Sequence, residues 1–407
     1  MQILFVHGNY PGQCGWLAEL LGQQPQHEVR FLTARQEAAG MPIAGVGVEL
    51  FSEPAAGLEA ASPLQGATVA AINRAAAVEE RLYAMAQDGF VPRLAVVHGG
   101  NGLALLIKQL IPNCVVVGYF EWFFRPEQAL DLLGRDDRLS RQLLQLRNLT
   151  TCQELVSCDA AVVPTQWQAS QFPEPLRSKL QVIFDGVESH WHRPPANPAR
   201  DWPLRIEGEA GVVELAAGQP LLSYATRGME PLRGFPEFMR ALPAVLAARP
   251  ELVVLVAGRD RSAYGQPAPS HGGSWKALLL EELGDFPGRE RLHFTGLLPR
   301  ATYGAMLQRT NLHCYFTRPY VPSWSLFEAV ASGAPLLVTP GDSTCGCLPG
   351  LLPNTVSLKA AAADRAACIL ENLAAAAPTG EPPAWLWRPA AVQAWQELVN
   401  AATTATS

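Results

Sequence analysis

Residues 1–16 read MQILFVHGNYPGQCGW, a short apolar run that leads into a glycine-rich turn. The run is five or six residues long, no basic segment precedes it, and no small-residue cleavage motif follows it. These features are typical of a buried β-strand rather than a signal peptide, and the glycines before Trp16 indicate a tight turn into a helix. We therefore predict a strand, a turn and a helix in this order.

The same alternation of a short apolar run with a longer amphipathic stretch recurs along the chain. It is the pattern of βα units, whose parallel strands are buried on both faces of a sheet. In the first half we predict strands at 3–6, 29–32, 46–50, 94–97, 115–119, 160–163 and 182–184, with helices at 68–86, 104–110 and 138–156. The pattern restarts at 221–224 and continues through 235–248, 252–257, 292–295, 303–308, 313–316, 326–331, 336–339 and 355–358. The predicted fold class is α/β, with two lobes in series.

Length and composition agree with two globular domains. The chain has 407 residues, of which 48% are hydrophobic and 17% charged, so each lobe has enough apolar material for a core. Acidic residues outnumber basic ones 37 to 31, and the formal charge of −6 argues against DNA as a partner.

Cysteine usage and hydropathy predict a reduced, cytoplasmic location. The eight cysteines are scattered without a paired C-x2-C pattern, and several lie in apolar runs. No apolar run reaches the roughly 18 residues of a membrane span, although peripheral membrane contact stays open.

Residues 190–220 interrupt the βα pattern with an irregular segment rich in Pro and Gly. We predict a first domain over 1–190, a linker and loop over 191–218, a second domain over 219–384 and a C-terminal helix over 385–407. That last segment carries Trp385, Trp387 and Trp395, a large apolar area that needs cover, and it could cross back to the first domain.

The turn from Gly8 to Gly15 is the first candidate binding element. Backbone N–H groups at a helix start favour an anion, and glycines such as Gly12 let a phosphate or a sugar approach. The segment is not G-x-G-x-x-G, which argues against a dinucleotide-dependent dehydrogenase. A tight turn without a ligand remains the alternative.

Two arginines of the second lobe form the next candidate. Arg227 and Arg233 lie between the strand at 221–224 and the helix at 235–248. A guanidinium group binds two phosphate oxygens at once and keeps its charge when desolvated, so this pair could cradle a diphosphate. The alternative is that both are solvated loop arginines.

Glu328 has two interpretations of equal weight. It lies one turn into a predicted helix, where its carboxylate could accept hydrogen bonds from ribose hydroxyls. Ser325-x-x-Glu328 is also a capping-box pattern, in which that carboxylate would bond the Ser325 backbone N–H instead.

Two candidates belong to the first lobe. His98 ends a buried strand, and the carboxyl end of a parallel strand is where ligands bind in such sheets. Glu121 is a carboxylate among aromatic residues, and we interpret it as an acceptor-site residue or as the ion-pair partner of an arginine such as Arg125.

The chain resembles the retaining GT-B glycosyltransferases of family 4, also called group 1, over nearly its whole length. The segments that carry the resemblance are the first strand with its glycine loop, VVHGGNG at 96–102, DAAVVPT at 159–165, FDGVE at 184–188, Arg227 with Arg233 and Gly234, Ala257 with Gly258, FTG at 294–296, and SLFEAVASG at 325–333. It implies a GT-B fold, in which two Rossmann-like domains face each other across a cleft. The first domain would bind the acceptor and the second the nucleotide sugar.

The resemblance also implies site residues. Arg227 and Arg233 match the Arg and Lys that hold the donor diphosphate, with Arg in place of Lys and a spacing one residue longer. Glu328 matches the ribose-binding second Glu of the E-x7-E motif, whose first Glu is replaced by Tyr320. The resemblance further implies that His98 lies beside the donor sugar and that Gly12 of the glycine loop binds the donor. It also implies that the main chain of Ser323, Trp324 and Ser325 donates hydrogen bonds to the sugar.

The implied reaction moves a hexose from a UDP-, GDP- or ADP-linked donor to an acceptor with retention of configuration. The leaving diphosphate takes the acceptor proton and the arginines stabilise its charge, so neither a metal nor another cofactor is expected. His190 with His192, and Cys345 with Cys347, have no complementary ligand pair at a zinc-site spacing, so we expect both pairs to bind no metal.

The acceptor stays open among a glycan, a lipid-linked sugar, a protein and a small molecule. Two alternative functions stay open as well. One is a catalytically silent nucleotide-sugar-binding subunit, motivated by Tyr320, and the other is a nucleotide-sugar epimerase of the same architecture.

Overall fold

The computed structural model describes residues 1–53, 57–375 and 378–404. The last residues of the predicted 385–407 segment therefore lie outside the described part. The described chain forms two compact units. The first comprises residues 1–129, 136–185 and 389–404, and the second comprises residues 130–135 and 186–388.

The first unit contains a seven-stranded, fully parallel sheet. Its strands are β1 Gln2–His7, β2 Glu28–Thr33, β3 Val46–Leu50, β4 Leu94–His98, β5 Val115–Tyr119, β6 Ala160–Val163 and β7 Leu180–Val182, in the order β3-β2-β1-β4-β5-β6-β7. Its longer helices are Gly15–Gly22, Gly66–Gln87 and Arg138–Ser157. The central strand β1 pairs Ile3 with Val29 on one side and with Leu94 on the other.

This sheet is apolar on both faces because helices cover both of them. Leu4 and Val6 of β1 belong to one buried cluster, whereas Ile3 and Phe5 belong to the cluster on the opposite face. The C-terminal helix Arg388–Thr404 contributes Trp395 to the second of these clusters. The apolar run at the start of the chain is therefore continuous because the side chains on both faces of β1 are buried.

The second unit contains a five-stranded parallel sheet and a two-stranded antiparallel hairpin. The hairpin is β8 Leu204–Gly208 and β9 Gly211–Leu215, and the sheet strands are β10 Leu221–Gly228, β11 Val253–Arg259, β12 Leu292–Gly296, β13 Leu312–Tyr315 and β14 Leu336–Val338, in the order β12-β11-β10-β13-β14. Its helices include Phe235–Ala248, Trp275–Leu283, Arg300–Arg309, Trp324–Ala331 and Ala362–Ala375. The first of these helices buries its apolar side against the sheet, through residues such as Phe238 and Leu242.

The hairpin lies in the segment that we expected to be irregular. Its sequence alternates apolar and polar residues, which is a strand signal: Ile206 and Leu215 are buried, whereas Arg205 and Glu214 are exposed. The pattern is only five residues long in each strand and follows a proline-rich stretch, so it was missed. Two further differences exist. The regular element predicted at 355–358 is only a single β-bridge between Val338 and Thr355, and the helix Trp275–Leu283 was not predicted.

Arg309 ties this segment to the second unit. It is fully buried, and its guanidinium donates to the carbonyl oxygens of Trp202 and Gln219 at 2.6 Å each. A buried cation needs such acceptors because it has lost its water. The segment we expected to be a linker is therefore anchored to the helix Arg300–Arg309.

Within the described residues, no helix combines the length and the apolar character needed to cross a bilayer.

We predict that Trp395→Ala lowers the stability of the first unit by roughly 3–5 kcal/mol, because it leaves a cavity in a packed cluster. Trp395 is 2% exposed, whereas Trp385 is 41% exposed. Trp385→Ala is therefore the matched control, with a much smaller expected effect. Urea unfolding followed by circular dichroism measures both, and equal losses would contradict the assigned packing of the C-terminal helix.

Candidate functional site

The loops that follow β10, β11 and β13 lie at one edge of the second sheet. Parallel strands present their carboxyl ends along the same edge, which is the usual place for ligands. Arg227 lies near the end of β10, Arg233 lies in the turn that follows it, and Tyr264 comes from the loop after β11. Thr317 and Val321 follow β13. The topology thus gathers residues that are up to about a hundred positions apart.

Arg233 is buried and well anchored. Its Nη1 donates to Thr317 Oγ1 and to the carbonyl oxygen of Val321, both at 3.1 Å, and the residue is 5% exposed. Its own carbonyl oxygen accepts a hydrogen bond from the Tyr224 hydroxyl at 2.6 Å. The chain then turns through Gly234 at φ +64°, where an added Cβ would lie 2.5 Å from Phe316 Cβ. Both ends of Arg233 are therefore held in place.

Arg227 approaches the same aromatic ring as Arg233. Its Nη1 donates to the Tyr264 hydroxyl at 2.7 Å. The guanidinium carbons of Arg227 and Arg233 lie 5.5 and 5.6 Å from the centre of the Tyr264 ring. The ring of Tyr320 packs edge-on against Tyr264 at 5.7 Å. Two cations therefore share one aromatic side chain.

Neither of these guanidinium groups has a carboxylate within 4.0 Å among the described residues. The nearest acidic residue in sequence, Glu230, is committed elsewhere. It is fully buried and accepts hydrogen bonds from the backbone N–H groups of Ala263, Tyr264 and Gly265 at 2.8–3.0 Å. In the described part of the chain, the two guanidinium groups thus form no direct ion pair with a side-chain carboxylate.

Glu328 is not part of a capping box, so that alternative is wrong. The helix Trp324–Ala331 has Ser323 as its N-cap, whose Oγ accepts from the Ser325 N–H at 3.4 Å. Ser325 therefore lies inside the helix, and Glu328 is too far along it to bond the cap. The Ser323 N–H is itself occupied, because it donates to the Tyr315 hydroxyl at 2.9 Å, while Trp324 is 41% exposed.

The carboxylate of Glu328 accepts no hydrogen bond from the described residues, and the imidazole of His192, whose Nε2 lies 3.8 Å from Oε1, is its nearest titratable neighbour. Burial raises the pKa of Glu328 to about 7, and the charge of Arg300 opposes this only in part. The side chain is still 27% exposed, so a ligand can reach it. Burial also lowers the pKa of His192 to about 4, with Arg300 and His190 contributing.

In the first unit, His98 and Glu121 form a pair at the ends of β4 and β5. The His98 Nε2 lies 3.3 Å from Glu121 Oε2, and the Gln13 amide donates to Glu121 Oε1. Burial alone would raise the pKa of Glu121, but the hydrogen bond and charge of His98, together with the hydrogen bond from Gln13, hold it below its usual value. Arg125, the alternative partner, instead donates to the carbonyl oxygens of Ser170 and Gln171.

The glycine loop reaches this pair through His7. The His7 Nδ1 accepts from the Asn9 N–H at 2.9 Å, so Nε2 carries the proton and donates to Gln13 Oε1 at 2.8 Å. Gly12 has φ +55°, and an added Cβ would lie 2.7 Å from the His7 ring. The structure therefore gives Gly12 a steric role, which is to let Gln13 fold back onto His7 and Glu121.

The loop after β4 is held by a buried carboxylate, as is the loop after β11. Glu154 is fully buried, accepts from the Ala104 N–H at 2.7 Å, and also accepts from the Gly100 N–H. Burial raises the pKa of Glu154, and these backbone hydrogen bonds oppose the rise. The loop that follows His98 is therefore fixed at both of its ends.

Sequence reasoning missed five residues of these arrangements: His7, Gln13, Glu154, Glu230 and Tyr264. His7 and Gln13 lie in the first strand and its glycine loop, and Glu230 lies between Arg227 and Arg233, whereas the loop of Tyr264 had not been noted as a candidate element. Glu230 and Tyr264 are 34 positions apart, and no local pattern predicts that one binds the other. The only available signal was their position after a predicted strand.

Among the described residues, no cluster of three or more His, Cys, Asp or Glu side chains could hold a metal ion.

Comparisons with known proteins agree with this architecture. The family model described as glycosyl transferase family 4 group matches residues 25–191. Sucrose-phosphate synthase (tll1590) from Thermosynechococcus elongatus is similar over 100% of both chains, at 14% identity and a TM-score of 0.66. Anabaena Alr3699/HepE, in a structure in complex with UDP-glucose, is similar over 92% of this chain and 90% of that chain, at 12% identity and a TM-score of 0.58.

A curated relative is a tRNA-2-methylthio-N(6)-dimethylallyladenosine synthase from Thiobacillus denitrificans (strain ATCC 25259 / T1), which is 33% identical over 172 residues. The match covers 40% of this chain and 35% of that protein, so it spans about a third of the relative's length.

The predicted α/β fold and the resemblance to family 4 are thus both confirmed. Residues 25–191 match the glycosyl transferase family 4 group, and the described chain has the GT-B fold, with two Rossmann-like domains.

Proposed function

We propose that this protein is a retaining glycosyltransferase that moves a hexose from a nucleoside diphosphate sugar to an acceptor hydroxyl. The observation that carries the proposal is the pair Arg227 and Arg233, two guanidinium groups over one ring without a neutralising carboxylate. The family 4 match and the HepE structure with UDP-glucose support this class of donor.

The charge of the pair is the reason for expecting a diphosphate. Burying a cation is unfavourable unless an anion or several acceptors compensate for the lost water, and Arg233 is 5% exposed. Its acceptors are a hydroxyl and a carbonyl oxygen, which leave the positive charge in place. A diphosphate supplies two adjacent anionic groups, each suited to the planar fork of a guanidinium.

Glu328 would hold the nucleotide ribose. Its carboxylate has unused acceptor capacity and remains partly exposed, as a hydrogen bond from a ribose hydroxyl requires. Tyr320 offers no carboxylate to the donor sugar, so we assign sugar contacts to the main chain of Trp324 and to the side chain of Ser325, whose N–H already donates to Ser323 Oγ. Ser323 would contribute through its side chain, since its N–H is occupied by Tyr315.

In the proposed reaction the acceptor oxygen bonds to the anomeric carbon on the face from which the diphosphate leaves. The bond between that carbon and the diphosphate oxygen breaks, and the acceptor proton passes to the departing oxygen. Negative charge grows on the diphosphate as the bond breaks, and Arg227 and Arg233 stabilise it. No side-chain nucleophile is needed.

The first unit would orient the sugars. His98 offers an imidazole at the end of β4, and the ionised carboxylate of Glu121 can accept a hydrogen bond from an acceptor hydroxyl. We therefore keep His98 as a residue beside the donor sugar and Glu121 as the acceptor candidate. We also keep Gly12 as a donor-binding position, where the absence of a side chain leaves room for the His7 ring.

The test of function is incubation of the purified protein with UDP-, GDP- and ADP-hexoses and a panel of glycan, lipid-linked, protein and small-molecule acceptors. Glycosyl transfer with retained anomeric configuration, read by nuclear magnetic resonance, supports the proposal. Binding without turnover would favour a silent subunit, and conversion of the donor without acceptor would favour an epimerase. Absence of binding to every donor would refute the proposal.

We predict that Arg233→Ala weakens UDP binding by roughly 30-fold, about 2 kcal/mol, because it removes a charge-assisted contact to the diphosphate. Lys108→Ala is the control, since Lys108 pairs with Asp159 in the first unit. Calorimetry measures both dissociation constants. Equal effects of the two substitutions would remove the diphosphate assignment.

We predict that UDP affinity, relative to that of Glu328→Gln, rises by up to about tenfold between pH 6 and pH 8. The pKa of Glu328 is about 7 in the free protein, and a ribose hydroxyl donates best to the ionised form, so binding strengthens as the proton leaves. The comparison with Glu328→Gln cancels the titration of UDP itself. A ratio independent of pH would contradict the ribose contact.

The same raised pKa has the opposite consequence for folding. The ordinary pKa of 4.5 applies to the unfolded chain, so the folded protein binds more protons between pH 4.5 and 7. The contribution of Glu328 to stability therefore decreases as the pH rises through this interval.

A further inference from the structure

We propose that Tyr264 is the positioning residue of the diphosphate site, which holds the guanidinium of Arg227 beside that of Arg233. This inference rests on the proposed function, because it concerns the same anion site. It assigns a role to a residue that neither the family match nor the sequence motifs identify.

The first support is the rigidity of the Tyr264 backbone. The carboxylate of Glu230 accepts hydrogen bonds from three consecutive N–H groups, those of Ala263, Tyr264 and Gly265. Glu230 is itself fully buried, so water does not compete for these bonds. The side chain of Tyr264 is therefore presented from a fixed point, although the residue is 45% exposed.

The second support is the number of donors that remain for a ligand. A guanidinium has five N–H donors. Arg227 gives one to the Tyr264 hydroxyl, which leaves four, whereas Arg233 donates to Thr317 and Val321 and also bonds the Tyr315 side chain. One phenol hydrogen bond thus orients Arg227 while most of its binding capacity stays available.

The third support is electrostatic. Two guanidinium groups that converge on one ring repel each other when no ligand is bound. An acidic side chain would relieve the repulsion, but it would also compete with the diphosphate for both arginines. A neutral aromatic ring attracts cations weakly through its face, and the phenol oxygen accepts a hydrogen bond without adding a full charge. Tyr264 therefore holds the pair without neutralising it.

Tyr320 fits the same explanation. It occupies the position where the family resemblance predicts a carboxylate, and its ring packs edge-on against Tyr264 at 5.7 Å. An aromatic side chain there restricts the Tyr264 ring and adds no negative charge beside the arginines. The replacement of the motif carboxylate by Tyr320 is thus consistent with the role of Tyr264, because both residues leave the two arginines without an added negative charge.

The experiment is a double-mutant cycle on Arg227 and Tyr264 in the full chain, with UDP and inorganic pyrophosphate as probes in calorimetry. Tyr264→Phe removes the hydroxyl and keeps the ring, so we expect about fivefold to tenfold weaker binding of both probes. Arg227→Ala weakens binding further. In the double variant, the loss should match that of Arg227→Ala alone, because the hydroxyl acts only through Arg227.

Tyr83→Phe is the matched control, since Tyr83 is 54% exposed on a helix of the first unit and should leave both dissociation constants unchanged. Thermal unfolding verifies that each variant is folded. Equal or tighter binding by Tyr264→Phe would overturn the inference, as would a Tyr264→Phe effect that persists in full without Arg227. If the wild-type protein binds neither UDP nor pyrophosphate, nor any other nucleoside diphosphate, the proposed function itself fails, and the anion site with it.

Discussion

Both candidate sites depend on the same interaction, in which backbone N–H groups of a loop donate hydrogen bonds to a buried carboxylate. Glu230 binds the N–H groups at 263–265, and Glu154 binds those of Gly100 and Ala104. A carboxylate without water must find donors, and a loop at a strand end has unpaired N–H groups to offer. The hydrogen bonds between them satisfy both the carboxylate and the N–H groups, and they hold the loop in a fixed position that supports the functional side chains.

This arrangement leaves the charge of the second site uncompensated. Because Glu230 is used for the loop, Arg227 and Arg233 keep their positive charge, and an aromatic ring rather than an acid lies between them. The first site is organised in the opposite way, since there the carboxylate of Glu121 faces His98 and is held by Gln13. The second unit therefore presents two cations, and the first unit presents a carboxylate and an imidazole.

Much of the fold could be predicted because strands buried on both faces leave a local signature. The fully buried strands at 115–119 and 160–163 were predicted with the observed boundaries, as were the edge strand at 46–50 and the amphipathic helix at 235–248. The β8–β9 hairpin was missed because its two strands are short and follow prolines. For Glu328, the capping pattern was ambiguous in sequence, and only the observed helix start at Trp324 excluded it.

The sequence alone determined the α/β class and which residues carry charge at the ends of strands, because periodicity and residue chemistry are local properties. It also determined the family resemblance, which depends on the order of short motifs. Only the tertiary structure decided that Tyr264 joins the two arginines, that Glu230 serves a loop, and that Gln13 orients Glu121. Gln13 and Glu121 are 108 positions apart, and their contact exists only because parallel strands bring their carboxyl ends to one edge of the sheet.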